Sequence, residues 1–291
     1  MPAADSDRRS VSVAFFPGAH SAPLYLALEK GTLAAAGLEV EPREVASSQE
    51  QLAAWDAGEL DFLHTSADHF VRGPRPVAAT LLRAEGVGEL TVYLRPGGSE
   101  ADPRELRWGV DSADGGFAFV LRALVEPRLG IEVGPGRLRE VGGTKQRLAA
   151  LLAGEVDGAL LHSPFDHAAE AAGFERYCGH AELRPQPLTN ACFVRIELTG
   201  TAVARAYDEA LEQSRQELLA AGPREVERLL VARGLAPEQA GTAAAGAFEP
   251  LGLPLSSRPD REALLATADL RRRFSPGWEP DPALIDRLMP T

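Results

Sequence analysis

Lysine is nearly missing from this chain. Of its 30 basic residues only Lys30 and Lys145 are lysine, and arginine supplies the rest. Schiff-base chemistry and a lysine-held pyridoxal phosphate therefore have few candidates, and no cofactor is expected. Cysteine is equally scarce. Cys178 and Cys192 make no disulfide framework, and two free thiols in a reducing compartment are expected over a single bridge. No apolar run approaches the roughly 18 residues of a membrane span. The opening MPAADSDRRS passes directly into VSVAFF, without the apolar stretch and cleavage site of a secretory leader. A cytoplasmic location is expected, with an extracytoplasmic one as the alternative if a leader has been removed. Positive charge is in deficit: 42 acidic side chains against 30 basic ones leave a net charge of -12. A general nucleic-acid partner, which needs a basic stripe to replace phosphate counterions, is not expected. No Ser-His-Asp elbow, phosphate-binding P-loop, dinucleotide fingerprint or compact zinc signature is present, and no metal is expected.

What remains is ordinary for a soluble globular protein: 45% hydrophobic and 25% charged residues. A length of 291 residues suits two lobes better than one core. Apolar runs and glycine or proline punctuation predict a strand over 11–16, a helix over 23–35 stopping at Gly37, and a strand over 38–42. A helix from Ser47 or Ser48 to about Ala57 and a strand over 61–63 follow. This β-α-β-α-β order predicts an α/β fold with a largely parallel sheet. Strands are expected at 77–82 and 89–94, and a crossover at 95–103. A second unit then runs strand 107–110, helix 117–129, strand 137–141, helix 145–153, strand 158–161 and helix 163–172. A return strand over 188–196 leads to amphipathic helices over 201–272 and a proline-rich tail wrapped on the surface.

The two units echo one another. LAAWDAGELD at 52–61 and LAALLAGEVD at 148–157 agree at seven of ten positions. Each reads as a helix, a glycine stop, an acid and an inward strand. Beyond them, His64-x-x-x-Asp68-His69 and His162-x-x-x-Asp166-His167 share a pattern, each expected just past a strand and ahead of a helix N-terminus. Ligands of parallel α/β units sit beyond such strand ends.

The stretch APLYLALEKGTLAAAGLEV followed by QLAAWDAGELDFLHTSADH closely resembles the NMT1/THI5-like group of type II periplasmic binding proteins, which includes receptors for aliphatic sulfonates, taurine and pyrimidine precursors. The likeness is specific over residues 11–70, holds in element order to about 196 and is weak beyond. It implies two α/β lobes of mixed, mostly parallel sheets joined by a hinge, with a ligand cleft between them. Lobe 1 would span 1–95 and 188–291, and lobe 2 residues 96–187. The implied ligand loops are 17–22, 64–68, 111–117 and 162–166, with 189–190 of the return strand facing the cleft. The pyrimidine synthases of the group use a lysine and a cysteine-rich motif that this chain lacks, so their activity does not carry over.

These loops supply the candidate ligand contacts: Phe16, His20, Ser21, His64, Thr65, Ser66, Ser112, Gly115, Gly116, Phe117, His162, Ser163, Asp166 and Asn190. Imidazoles in a polar cleft can contact a ligand, hold a metal or move protons near neutral pH. Simple contact is the leading expectation for His20, His64 and His162, and acid–base catalysis by the same three is next. His69 and His167 are expected to be packing or surface residues. Asp68 and Asp166 are expected to be first-turn helix acids ahead of imidazole orienters. Gly115 and Gly116 let the backbone approach a ligand, while Asp111 and Asp114 would favour an amine or hydroxyl over an anion. Two functions follow. One is a substrate-binding protein for a small polar or ring-containing molecule, partnered by an ABC-transporter permease if exported. The other is a cytosolic biosynthetic enzyme on the same fold, a decarboxylase, dehydratase or other lyase, or a pyrimidine-type synthase, with histidine as acid and base.

Overall fold

A computed structural model describes residues 8–45, 47–85, 90–250, 252–254 and 256–289. The first unit runs β1 (Arg9–Phe15), α1 (Ala22–Lys30), α2 (Thr32–Ala35), β2 (Leu38–Glu44), α3 (Ser48–Asp56), β3 (Phe62–Ser66), α4 (Asp68–Val71) and β4 (Ala79–Glu85). The single helix expected over 23–35 is broken after Lys30. Gly31 adopts a left-handed φ of 70°, which ends α1 and starts α2.

The second unit runs β5 (Thr91–Leu94), β6 (Trp108–Val110), α5 (Gly116–Leu129), β7 (Leu138–Glu140), α6 (Thr144–Leu152), β8 (Gly158–Leu161), α7 (Phe165–Ala171) and β9 (Glu175–Gly179). Then come β10 (Asn190–Arg195), α8 (Ala202–Ala221), α9 (Pro223–Ala232), α10 (Pro237–Gly246), α11 (Arg261–Phe274) and α12 (Pro282–Leu288). Neither β9 nor α12 is expected from sequence. Pro282 occupies the first turn of α12, Asp281 caps it, and Leu284, Ile285 and Leu288 are buried. The tail is therefore part of the core and not a surface wrap.

Two five-stranded sheets share one plan. Their orders are β2-β1-β3-β10-β4 and β7-β6-β8-β5-β9. In each, one strand runs antiparallel to both of its neighbours: β10 in the first sheet and β5 in the second. That strand follows directly on the other sheet's last strand, so the lobes exchange one strand each. Because Thr91–Leu94 pairs in the second sheet, the segment 95–103 is not the crossover. Glu85 ends a strand of the first sheet and Thr91 begins one of the second. The expected strand start at Glu89 lies outside the described residues.

The first sheet is covered on one face by α1 and α8 to α10, and on the other by α3, α4, α11 and α12. The second packs α5 on one face and α6 with α7 on the other. Cys178 lies in β9 and Cys192 in β10, in different sheets, and both are free and buried.

The repeat is geometric as well as textual. Asp61 accepts the Ser12 backbone N–H at 2.9 Å and returns its own N–H to the Ser12 carbonyl at 2.9 Å. Asp157 does the same with Arg107, at 2.8 Å each way. Gln51 Nε2 donates to the His64 carbonyl at 2.9 Å, and Arg147 Nε to the Leu160 carbonyl at 2.9 Å. Residues 51, 61 and 64 thus correspond to 147, 157 and 160. The second echo fails this test. His64 corresponds to Leu160, not His162. It stands inside β3, opposite Cys192, whereas His162 follows the end of β8.

Gly158, at the start of β8, is required by close packing. A Cβ there would sit 2.5 Å from Trp108 Cζ3 and 2.9 Å from Leu94 Cδ2. Gly158→Ala is expected to destabilise the protein by about 1–3 kcal/mol, the usual effect of overpacking a core, read from the urea midpoint at unchanged slope.

Candidate functional site

The loops expected to form a cleft do face one another. His20 lies on the turn Ala19–Ser21 after β1, and His162 on the turn after β8. Their rings meet edge to face, with centroids 6.2 Å apart and planes at 89°. His162 is also edge-to-face with Phe165 at 5.9 Å. Gly18 makes the His20 position possible, because its φ is 155° and a Cβ there would lie 2.8 Å from His20 Cε1. His162 Nδ1 lies 3.0 Å from the Ser163 carbonyl. Burial drives the His162 pKa down to about 3, with the nearby His20 and Arg147 adding to the effect. Burial also lowers that of His20, against the attraction of Glu85.

His64 is held differently. Its Nδ1 lies 2.6 Å from Glu85 Oε1 and its Nε2 2.7 Å from the Tyr207 hydroxyl. Tyr207 comes from α8, stacks on Phe62 at 4.0 Å and is fully buried. Burial acts to raise the Glu85 pKa, but the charge and hydrogen bond of His64 outweigh it and hold the carboxylate below its ordinary range. Both ring nitrogens of His64 are engaged by the protein, so a ligand reaches them only by displacing Glu85 or Tyr207. A cavity of about 20 Å³, room for a single water, is lined by His20, His64, Arg83 and Glu85. Arg83 is itself buried and held by Asp208 at 2.8 Å and Glu212 at 3.3 Å.

The other expected contacts divide. In lobe 2, Ser163 Oγ and Asp111 Oδ1 are buried without a hydrogen-bond partner. Buried polar atoms normally have one, so these two are free to meet a polar ligand. Phe117 stands half-buried beside the guanidinium of Arg147, 5.9 Å from its ring centroid. Arg147 is buried with no carboxylate within ion-pair distance among the described residues. Ser66, Gly116 and Phe117 line a second small cavity, of about 10 Å³, between the lobes.

Ser21 and Thr65, by contrast, are buried and already bonded, to the Phe16 carbonyl at 2.8 Å and to His69 Nδ1 at 2.9 Å. Phe16 packs on the core of lobe 1. Asp166 accepts the His167 N–H at 2.8 Å and serves its own helix, as a first-turn acid does. Burial raises the Asp166 pKa. The Ser112 carbonyl accepts the Gly115 N–H at 3.2 Å, which shapes the loop entering α5. Asn190 opens β10 between Ser66 and Glu85.

Asp68 is neither a simple helix acid nor an imidazole orienter. Its two oxygens take a bidentate ion pair from Arg271 of α11, at 2.8 and 2.7 Å, with both partners almost completely buried. Arg271 also reaches lobe 2, at Asp114 Oδ1 (3.2 Å) and the Asp114 carbonyl (2.9 Å). Burial opposes the Arg271 charge, but the bonds to Asp68 and the field of Asp114 more than offset it and raise its pKa. Gly116 permits this approach, since a Cβ there would lie 2.6 Å from Asp68 Cβ.

Solved structures answer to this architecture. The nitrate-binding protein NrtA of Synechocystis PCC 6803 superposes with a TM-score of 0.80 at 15% identity, over 97% of this chain and 86% of that one. A ligand-binding component of an ABC-type import system from Staphylococcus aureus, solved with zinc, gives 0.75 at 14% identity, over 98% and 100%. The aliphatic sulphonate binding protein SsuA of Escherichia coli gives 0.74 at 15% identity, over 97% of each. The fold is that of the periplasmic substrate-binding proteins. At these identities the likeness extends to the fold alone. No protein-family model matches the chain, and no curated protein matches it in sequence. Among the described residues no group of three or more His, Cys, Asp or Glu is placed to hold a metal, and no helix is long and apolar enough to cross a membrane.

Two predictions follow from this geometry. Arg271→Met leaves Asp68 buried without its counter-ion and is expected to cost about 3–5 kcal/mol of stability. Adding Asp68→Asn should recover part of that loss, both read by chemical denaturation. The second concerns pH. Burial lowers the His162 pKa to about 3 in the folded chain against 6.5 when exposed, so the folded form binds fewer protons between those values. Stability is then full above pH 6.5 and falls as the pH drops towards 3, by about 1.4 kcal/mol per pH unit for this residue. His162→Gln should flatten the fall in unfolding free energy between pH 6.5 and 4.5; an unchanged slope would assign it to other groups.

Proposed function

We propose that the chain is a substrate-binding protein of the NMT1/THI5-like, SsuA-like kind, closing on one small polar or ring-containing organic molecule between its lobes. The observation that carries this reading is the meeting of His20 and His162. One comes from each lobe, and they face each other at 6.2 Å. A ligand inserted there touches both lobes at once, so its binding energy favours closure over opening. With its Nδ1 hydrogen on the Ser163 carbonyl, neutral His162 offers Nε2 as an acceptor. Ser163 Oγ and Asp111 Oδ1 add polar atoms that the protein does not satisfy itself. The cavity beside His20 has room for one water, so a larger ligand there enters as the lobes part. An ABC-transporter permease is the natural partner of such a receptor where the chain is exported.

A second reading rests on one specific observation. Glu85, His64 and Tyr207 form a carboxylate–imidazole–phenol line whose first two members border the cavity. That arrangement fixes the imidazole tautomer and can move a proton, as a cytoplasmic lyase or pyrimidine-type synthase on this fold would need.

Native mass spectrometry of protein purified from its host separates the two. A receptor carries one unmodified small molecule per chain, and His20→Ala and His162→Ala are each expected to weaken its binding about tenfold or more, as loss of a buried hydrogen bond does. An enzyme converts the molecule, and His64→Gln keeps it bound but unconverted. Undiminished binding in both histidine-to-alanine variants would overturn the cleft site.

A further inference from the structure

A third and larger cavity, of about 700 Å³, opens where the hinge strands meet the chain leading into α11. It shares Ala84 and Glu85 with the cavity beside His20 and is otherwise built from different residues. Its walls are the segment 184–189, which leads into β10, and the segment 256–263, which leads into α11. These walls are tied to the fold. Ala84 N–H donates to the Ser257 carbonyl at 3.0 Å, Leu188 N–H to the Ala263 carbonyl at 3.0 Å, and Thr267 Oγ1 to the Leu188 carbonyl at 3.0 Å. Its volume is within the usual range for a small-molecule site, roughly 300–1,000 Å³.

His180 lines this cavity. It is 2% exposed, and neither ring nitrogen has a hydrogen-bond partner. Burial pushes its pKa down to about 4, with the Pro187 carbonyl close enough to oppose the shift. The ring is therefore neutral near pH 7 and presents one donor and one acceptor. Buried polar side chains normally have such a partner, so His180 departs from the rule.

The charges at the rim are unequal in their engagement. Glu85 is bonded to His64, Asp260 caps α11 through the Glu262 and Ala263 N–H groups, and Arg261 pairs with Asp286. Arg184 and Arg258 have no carboxylate within 4 Å among the described residues, and of the acids only the exposed Glu262 faces them unengaged. Arg184 is further fixed by its Nη1, which donates to the carbonyls of Ala181 at 2.5 Å and Leu183 at 2.6 Å and leaves Nε and Nη2 without a partner among the described residues. The lining also has an apolar part, formed by Pro185, Pro187, Leu188 and Met289.

We propose that this hinge-side cavity is a second ligand site, taking a small organic anion whose acidic group pairs with Arg184 and Arg258 and whose apolar body packs over Leu188 towards His180. A bound molecule touches the end of β4 and the approach to β10, the two connections between the lobes. It therefore acts on closure without entering the cleft. The site stands independently of what the cleft binds.

The test uses 8-anilinonaphthalene-1-sulfonate, a fused-ring sulfonate whose fluorescence rises in an apolar site, with the full chain. The expected result is one saturable site per chain. Arg184→Glu combined with Arg258→Glu should weaken it at least tenfold, and Gln186→Trp, which fills the cavity without altering its charge, should do the same. Arg205→Glu, an exposed arginine elsewhere, and His162→Ala, in the cleft, should leave the affinity unchanged, with circular dichroism confirming that each variant is folded. Wild-type affinity in both the double-charge and the Gln186→Trp variants, or loss of binding in His162→Ala, would overturn the proposal.

Discussion

Arg271 is the node on which the arrangement of the two lobes depends. It is 1% exposed, gripped by both oxygens of Asp68 and by Asp114, and covered by the Phe119 ring at 4.8 Å. The helix that carries it is divided between the lobes. Leu264 and Ala268 of α11 belong to the core of lobe 1, while Leu270 and Phe274 pack on Phe119 and Ala123 of lobe 2. The charge is not symmetric between its partners. Asp68 is as buried as the arginine, but the Asp114 side chain is 44% exposed and also pairs with the exposed Arg72 at 2.8 Å. Of the two carboxylates that Arg271 meets, Asp114 is therefore the half-exposed partner of small net worth, whereas the Asp68–Arg271 pair is buried within lobe 1.

The same economy runs through the repeat. Each lobe uses a carboxylate at the head of its third parallel strand, Asp61 or Asp157, to bind the backbone of the neighbouring strand. Each then uses a helix side chain, Gln51 or Arg147, to satisfy a strand carbonyl near the cleft floor. The lobes diverge only above this frame. Where lobe 2 has Leu160, lobe 1 has His64 with its Glu85 and Tyr207 partners, so this carboxylate–imidazole–phenol line belongs to lobe 1 alone.

The frame was legible in the sequence because its signals are local. Glycine stops, proline starts and the ten-residue repeat placed most strands and helices, and the family resemblance supplied the four loops. β9 escaped because Glu-Arg-Tyr-Cys-Gly lacks an apolar run, its place being set by antiparallel pairing with β5. The partners of the site residues escaped because they are remote: Tyr207 lies 143 residues from His64, and Arg271 lies 203 from Asp68. One signal was nevertheless present. Leu264, Thr267, Ala268, Arg271 and Phe274 form the buried stripe of α11, and Arg271 is the charge on it, whereas Arg272 and Arg273 fall outside. Arg147 interrupts the buried stripe of α6 in the same way, between Thr144, Leu148 and Leu151. A charge at a core position of an amphipathic helix must find a buried partner, and that constraint marks a site even when the partner cannot be named.

His20 and His162 bring these points together. An exposed imidazole takes up a proton below about pH 6.5, but burial lowers the pKa of both rings, and a pair of imidazolium rings 6.2 Å apart would repel. Burial and mutual repulsion together give a preference for the neutral pair. Glu85 moderates it, since its charge favours protonation of His20 while its hydrogen bond is held by His64. His162 directs its Nδ1 hydrogen to the Ser163 carbonyl, which leaves Nε2 as an acceptor, while Arg147, buried with no carboxylate within ion-pair distance among the described residues, lies close enough to help keep the ring neutral.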